Sequence, residues 1–175
     1  MTRDLDLRDF IRDVPDFPQP GILFRDVTPL LKDPQAFAAA LSGLEEYVAG
    51  RAPDAIVGIE SRGFLFGTPI AARLGLPFVP IRKPGKLPAP HMSIEYALEY
   101  GEGQLDIHAD ALSTGASVVI VDDLLATGGT ARGAISLVEL LGAHVAGLAF
   151  LIELSGLDGR SLLQPYDVFS LIAYQ

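Results

Sequence analysis

VVIVDDLLATGGT, residues 118–130, decides how the rest of the chain is read. Four β-favouring apolar residues, Val118, Val119, Ile120 and Val121, run into two acids, Asp122 and Asp123. Leu124, Leu125 and Ala126 then lead to Thr127-Gly128-Gly129-Thr130 and a helical pattern. The apolar run predicts a buried strand over 118–121. The glycines let the backbone turn tightly and approach a ligand closely. The helix that follows offers unpaired N–H groups and a partial positive charge at its start, and the two threonine hydroxyls add donors. Together these predict a phosphate cradle. The acids cannot face that phosphate, because like charges repel. They suit a neutral polyol whose hydroxyls donate to them. A ribose 5-phosphate meets both demands, with its diol on the acids and its phosphate in the cradle. A strand-to-helix turn with capping acids is the plainer explanation of a bare Thr-Gly-Gly-Thr, but the whole arrangement favours the ligand.

Outward from this segment, strands alternate with helices. Asp33 and Pro34 read as an N-cap and first helical residue. Phe37, Leu41, Leu44 and Val48 recur at helical spacing, and Gly50 can end that helix. A buried strand is expected over 55–59, a helix over about 63–74 stopped by Gly75, and a strand over 78–81. Residues 83–93 hold Pro84, Gly85, Pro88 and Pro90, which predicts a long loop of the kind that often covers a site. Residues 94–98 and 104–107 are expected to form a hairpin. Ala134, Leu137, Val138 and Leu141 mark the apolar face of a helix that Gly142 can terminate. Strands follow over 145–154 and 168–173. The alternation implies an α/β fold, a mostly parallel twisted sheet flanked by helices, with ligands at the carboxyl ends of its strands. Residues 1–175 suit a single domain.

Composition narrows the function classes. There are no cysteines, which removes disulfides, thiolate metal sites and cysteine nucleophiles. The N-terminal MTRDLDLRDFIRDV lacks an apolar h-region, and no apolar run reaches about 18 residues, so neither a signal peptide nor a membrane span is expected. A cytoplasmic setting is the expectation. The net charge of −9 disfavours nucleic-acid binding. Between Ser61 and Ile94, however, there is no Asp or Glu, while Arg62, Arg73, Arg82, Lys83 and Lys86 all fall there. A site for a small anion and a solvated basic face both account for that stretch.

Residues 118–130 resemble the phosphoribosyl pyrophosphate signature of the type I phosphoribosyltransferases. PDFPQPGILFRDVTPLLKDP (15–34), GIESRGFLFG (58–67), IRKPGKLP (81–88) and LEYG (98–101) resemble, in the same order, the members of that family that act on adenine. The resemblance implies the type I phosphoribosyltransferase fold, with a small N-terminal hood over about 1–34 and a mobile lid loop and hairpin over about 83–103. It implies transfer of the phosphoribosyl group from 5-phospho-α-D-ribose 1-diphosphate (PRPP) to adenine, giving AMP and diphosphate. Mg²⁺ would be required and held mainly through substrate and water, and the protein would be a homodimer.

It also implies roles for residues. Ala126, Thr127, Gly128, Gly129 and Thr130 would hold the 5-phosphate, and Asp122 and Asp123 the ribose hydroxyls. Glu60, Ser61 and Arg62 would form the pyrophosphate loop, with Arg62 stabilising the departing anion and Lys83 and Lys86 adding charge. Arg82 would serve the same anion or a subunit contact. Glu99 is the expected acid/base residue, although spacing alone would make it a solvated loop glutamate. Leu23 and Arg25 would read the edge of adenine through their backbone, and Phe24 would stack on its ring. Residues 21–24 could equally be a core strand. His91, His108 and His144 lack metal-ligand spacing. Ala89 and His91 occupy lid positions where the family has Gly and Thr. Two rival readings are a phosphoribosyltransferase for another base and a non-catalytic sensor of the donor that regulates transcription. The hood argues against the first. Against the second stand the acidic charge and a stretch before Pro15 expected to be too short for a DNA-binding domain.

Overall fold

The computed structural model describes residues 5–97 and 102–175. They fall into two compact units divided between Gly43 and Leu44.

In the smaller unit, a 3-10 turn at Leu7–Phe10 precedes an antiparallel hairpin of β1 (Arg12–Pro15) and β2 (Leu23–Asp26), in register from Arg12 opposite Asp26 to Pro15 opposite Leu23. Neither a hairpin nor β1 was expected from the sequence. Four residues are too short for a periodic signal, and the pairing, with the Arg25–Asp13 ion pair across it, supplies the order instead. Asp26 then accepts from the Thr28 N–H at 2.9 Å and opens α1 (Thr28–Lys32). Asp33 accepts from the N–H groups of Gln35 and Ala36, each at 2.9 Å, and so caps α2 (Pro34–Gly50) as expected.

The larger unit is built on five parallel strands. In chain order its elements are β3 (Ala55–Ile59), α3 (Gly63–Leu74), β4 (Phe78–Ile81), β5 (His91–Ala97), β6 (Glu102–His108), β7 (Ser117–Leu125), α4 (Gly129–Leu140), β8 (His144–Leu154), α5 (Gly159–Leu162) and β9 (Val168–Tyr174). The sheet order is β4-β3-β7-β8-β9, all neighbours parallel, and β5 and β6 form a separate antiparallel hairpin. Every residue of β3 is buried, as a strand covered on both faces requires. Val57, Ile59, Ile120, Ile135, Val138, Leu148 and Phe150 belong to the core that the sheet shares with α4.

Chain direction across the sheet fixes where a ligand goes. From β3 the chain passes through α3 to β4 on one side. From β7 it passes through α4 to β8 on the other. With right-handed crossovers the two helices fall on opposite faces, and β3 and β7 flank the point where the order reverses. The strand expected over 118–121 runs on to Leu125. β3 leaves it after Gly58 opposite Val121, but β8 keeps pairing, with Asp122 opposite Phe150 and Leu125 opposite Glu153. The loop expected over 83–93 is likewise shorter, because β5 begins at His91 and pairs with His108.

Asp33→Ala removes two acceptor contacts at the start of α2. It should destabilise the protein by about 1 kcal/mol and lower the melting temperature by about 2–4 °C. An unchanged thermal melt would contradict the capping role.

Candidate active site

The notch at the carboxyl ends of β3 and β7 opens a cavity of about 530 Å³. On one side lie Glu60, Ser61 and Arg62, which follow β3; on the other lies every residue from Asp122 to Ala131. The order reversal thus brings together two segments about sixty positions apart in sequence, and Lys83 joins them. Lys86 is not on the cavity wall. Leu23, Phe24 and Arg25 belong to β2 of the smaller unit, where Phe24 packs edge-on to Phe17 at 5.1 Å between ring centroids. Glu99, with the rest of the LEYG block, lies outside the described residues.

Gly128 makes the cradle possible. Its φ of +87° is in the left-handed region, and a Cβ there would sit 2.6 Å from the carbonyl oxygen of Gly159. The chain turns at Gly128 and enters α4, whose first intrahelical bond at this end runs from the Arg132 N–H to the Gly128 carbonyl at 2.9 Å. The N–H groups at the head of α4 precede that bond and have no carbonyl within the helix. They head a twelve-residue helix whose dipole favours an anion.

The acids sit just before the cradle. Asp122 and Asp123 both line the cavity, and their carboxyl groups lie close enough to interact with each other. Asp123 is only 4% exposed, and Arg62 Nε lies 3.0 Å from its Oδ2. The Asp123 N–H donates to Asp122 Oδ1 at 2.9 Å. Burial pushes Asp122 well above the usual carboxylate range, and the neighbouring charge of Asp123 adds to it. Burial also raises Asp123, while the Arg62 guanidinium opposes the rise. The start of α3 crowds this place closely, since a Cβ on Gly63 would meet the Val121 carbonyl at 2.7 Å and Asp122 Oδ1 at 2.9 Å.

Glu60 lines the cavity, and its carboxylate is bound to basic neighbours. Its carboxylate accepts from Arg82 Nε at 3.1 Å and Nη2 at 3.4 Å, and from the Lys83 N–H at 2.8 Å. Those donors hold its pKa below the usual value, the Arg82 hydrogen bond most of all. Glu60 therefore holds the start of the 82–90 loop beside the cavity. The Glu60–Ser61 peptide is cis. His91 faces Asp106, with Nε2 3.8 Å from Oδ2, and lies off the cavity wall.

The cavity also contains residues that the sequence pattern did not single out. Tyr96 of β5 and Gln104 of β6 line it. Tyr96 is opposite Gly103 across the hairpin, and its ring lies 3.3 Å from where a Cβ on Gly133 of α4 would stand. A signal was present in principle, as an aromatic residue facing two glycines, but only the hairpin register reveals that they meet.

Known proteins bear on this geometry. The family model for the phosphoribosyl transferase domain matches residues 27–173. An adenine phosphoribosyltransferase from a Synechococcus strain is 60% identical over 165 residues, covering 92% of this chain and 93% of that protein. The crystal structure of adenine phosphoribosyltransferase from Thermoanaerobacter pseudethanolicus superposes with a TM-score of 0.94 at 54% identity, covering 96% of this chain and 98% of the other. That from Saccharomyces cerevisiae, solved with an imino-altritol bisphosphate and adenine, has a TM-score of 0.86 at 44% identity, covering 94% and 96% of the two chains.

The raised pKa of Asp122 has a measurable consequence. A carboxyl whose pKa rises on folding favours the fold while protonated, and that contribution is lost as pH climbs through the folded-state pKa. Asp122→Asn keeps an oxygen for the Asp123 N–H but removes the charge. The variant should melt above the parent at about pH 7.5, and its advantage should shrink as pH falls toward about 4. Equal melting temperatures at neutral pH would contradict the raised pKa of Asp122.

Proposed function

The chain belongs to the phosphoribosyltransferase family, and on that premise we propose that it transfers the 5-phosphoribosyl group of PRPP to adenine, releasing AMP and diphosphate, a purine salvage reaction. One observation carries the reading: a single cavity contains the phosphate cradle, the acid pair, Arg62 and Lys83. These are the parts that a donor with a phosphate, a diol and an anionic leaving group requires.

The reaction breaks the bond from C1′ to diphosphate ahead of bond formation to the base, so positive charge develops on the ribose. Catalysis then comes from positioning, from stabilising the leaving anion and from proton handling at the base. Ala126, Thr127, Gly128, Gly129 and Thr130 bind the 5-phosphate through N–H and hydroxyl donors. Asp122 and Asp123 accept from the 2′ and 3′ hydroxyls.

Arg62 is the pivot of this arrangement. It starts 3.0 Å from Asp123. Donor binding offers each partner a replacement, hydroxyl donors for Asp123 and the diphosphate for Arg62. Arg62 then stabilises the departing anion together with the backbone of Glu60 and Ser61, and Lys83 and Lys86 add charge. Glu60 keeps Arg82 and the Lys83 backbone in place. The paired carboxylates of Asp122 and Asp123 on the wall fit a hard cation such as Mg²⁺, which would be held mainly through substrate and water and would supply charge neutralisation at the diphosphate.

Glu99, as a carboxylic acid, donates to adenine N7 and offsets loss of the N9 proton. Leu23 and Arg25 read the base edge through their backbone, and Phe24 stacks on the ring. The protein acts in the cytoplasm as a homodimer.

Adenine should be converted at least about 100-fold more efficiently than hypoxanthine or guanine in an assay with PRPP and Mg²⁺, because a site built to pair with the amino group leaves its own polar groups unpaired against a 6-oxopurine. Similar kcat/KM values across the three bases would refute the adenine assignment. Glu99→Gln should lower kcat by about 100-fold with little change in donor affinity, and an unchanged kcat would remove Glu99 from the chemistry.

A further inference from the structure

Behind the cradle, on the side away from the cavity, two backbone segments press together with no side chain between them. A Cβ on Gly128 would lie 2.6 Å from the Gly159 carbonyl oxygen. Conversely, a Cβ on Gly159 would lie 2.9 Å from the Gly128 nitrogen and would overlap the Ala126 carbonyl. Gly159 opens α5, a helix of only four residues, which has little stability of its own. Something else must hold it.

The next residue does so. Arg160 Nε donates to Glu153 Oε1 at 3.1 Å and Nη2 to Oε2 at 2.6 Å, a two-pronged pair. Arg160 Nη1 also donates to the Val168 carbonyl, and Nη2 reaches Ser170 Oγ at 3.4 Å. Glu153 is 7% exposed, near the end of β8 and directly opposite Leu125 of β7. Asp158 adds a local tie, its carboxylate accepting from Ser161 Oγ at 2.6 Å. One guanidinium thus pins the α5 turn to two strands of the sheet. Neither Glu153 nor Arg160 lines the cavity.

We infer that Glu153 and Arg160 are positioning residues for the 5-phosphate cradle, acting through the contact of Gly159 with Ala126 and Gly128. The inference rests on the reading of that cradle as the phosphate site of PRPP. The planar fork of Arg160 sets where Gly159 stands, and Gly159 sets how far the turn at Gly128 can retreat from the phosphate. Lysine supplies the charge without the fork.

The test is steady-state kinetics with calorimetric titration of ribose 5-phosphate on the full-length protein, its Arg160→Lys variant and its Gly159→Ala variant. Both substitutions should raise KM for PRPP and Kd for ribose 5-phosphate by about 10-fold or more, with kcat within about 3-fold and KM for adenine unchanged. A merely structural role would lower the melting temperature and the active fraction without moving the donor KM. Gly159→Ala leaves the ion pair intact and decides alone should Arg160→Lys fail to fold. Donor KM and ribose 5-phosphate Kd at parental values in the soluble variants would overturn the positioning role. A parent protein that neither forms AMP nor binds ribose 5-phosphate would instead overturn the phosphate-site reading beneath it.

Discussion

A buried carboxylate needs a cation, and Asp123 finds one in Arg62. That requirement shapes the site. Asp123 is carried by β7, at a height where β3 has already left the sheet. Arg62 is carried by the turn that follows β3. Their pairing draws that turn against the end of β7 and forms one wall of the cavity, while the cradle at the head of α4 forms the other. Desolvating a charge without a partner would be costly. The fold therefore holds the two segments together before any ligand arrives, and a ligand that replaces both partners can enter without leaving either charge bare.

Three residues make this possible, each for a separate physical reason. Gly128 adopts a backbone conformation that brings the α4 N–H groups to the cavity. Gly63 lets α3 begin against Val121 and Asp122. Glu60 binds Arg82 and the Lys83 N–H, so the loop after β4 starts at a defined place. The neighbouring negative charges of Asp122 and Asp123 are tolerated because Arg62 offsets one of them and the cavity lies beside them. Such a carboxylate pair weakens the fold and is suited to a ligand that donates hydrogen bonds.

Much of this was legible in the sequence. The wholly apolar β3 and the apolar first half of β7 announce strands buried on both faces, and glycines at 75 and 128 mark turns that only a left-handed backbone completes. The cradle was legible because its parts are contiguous from Asp122 to Thr130. What the sequence hides is pairing between distant residues. The partners of Glu60 and Arg160 depend on which strands become neighbours. The extension of β7 to Leu125 depends on β8 continuing beside it. Tyr96 reaches the cavity only through the register of its hairpin. The short elements β1, α1 and α5 owe their order to tertiary contacts and caps, so no periodicity marks them.

The most direct test of this account is a crystal structure of the protein with AMP bound. The expected complex has the phosphate on the N–H groups of Thr127 to Thr130, the ribose hydroxyls on Asp122 and Asp123, and Arg62 released from Asp123. A nucleotide bound elsewhere, or a phosphate in the cradle with Arg62 still closed on Asp123 and the hydroxyls turned away, would contradict it.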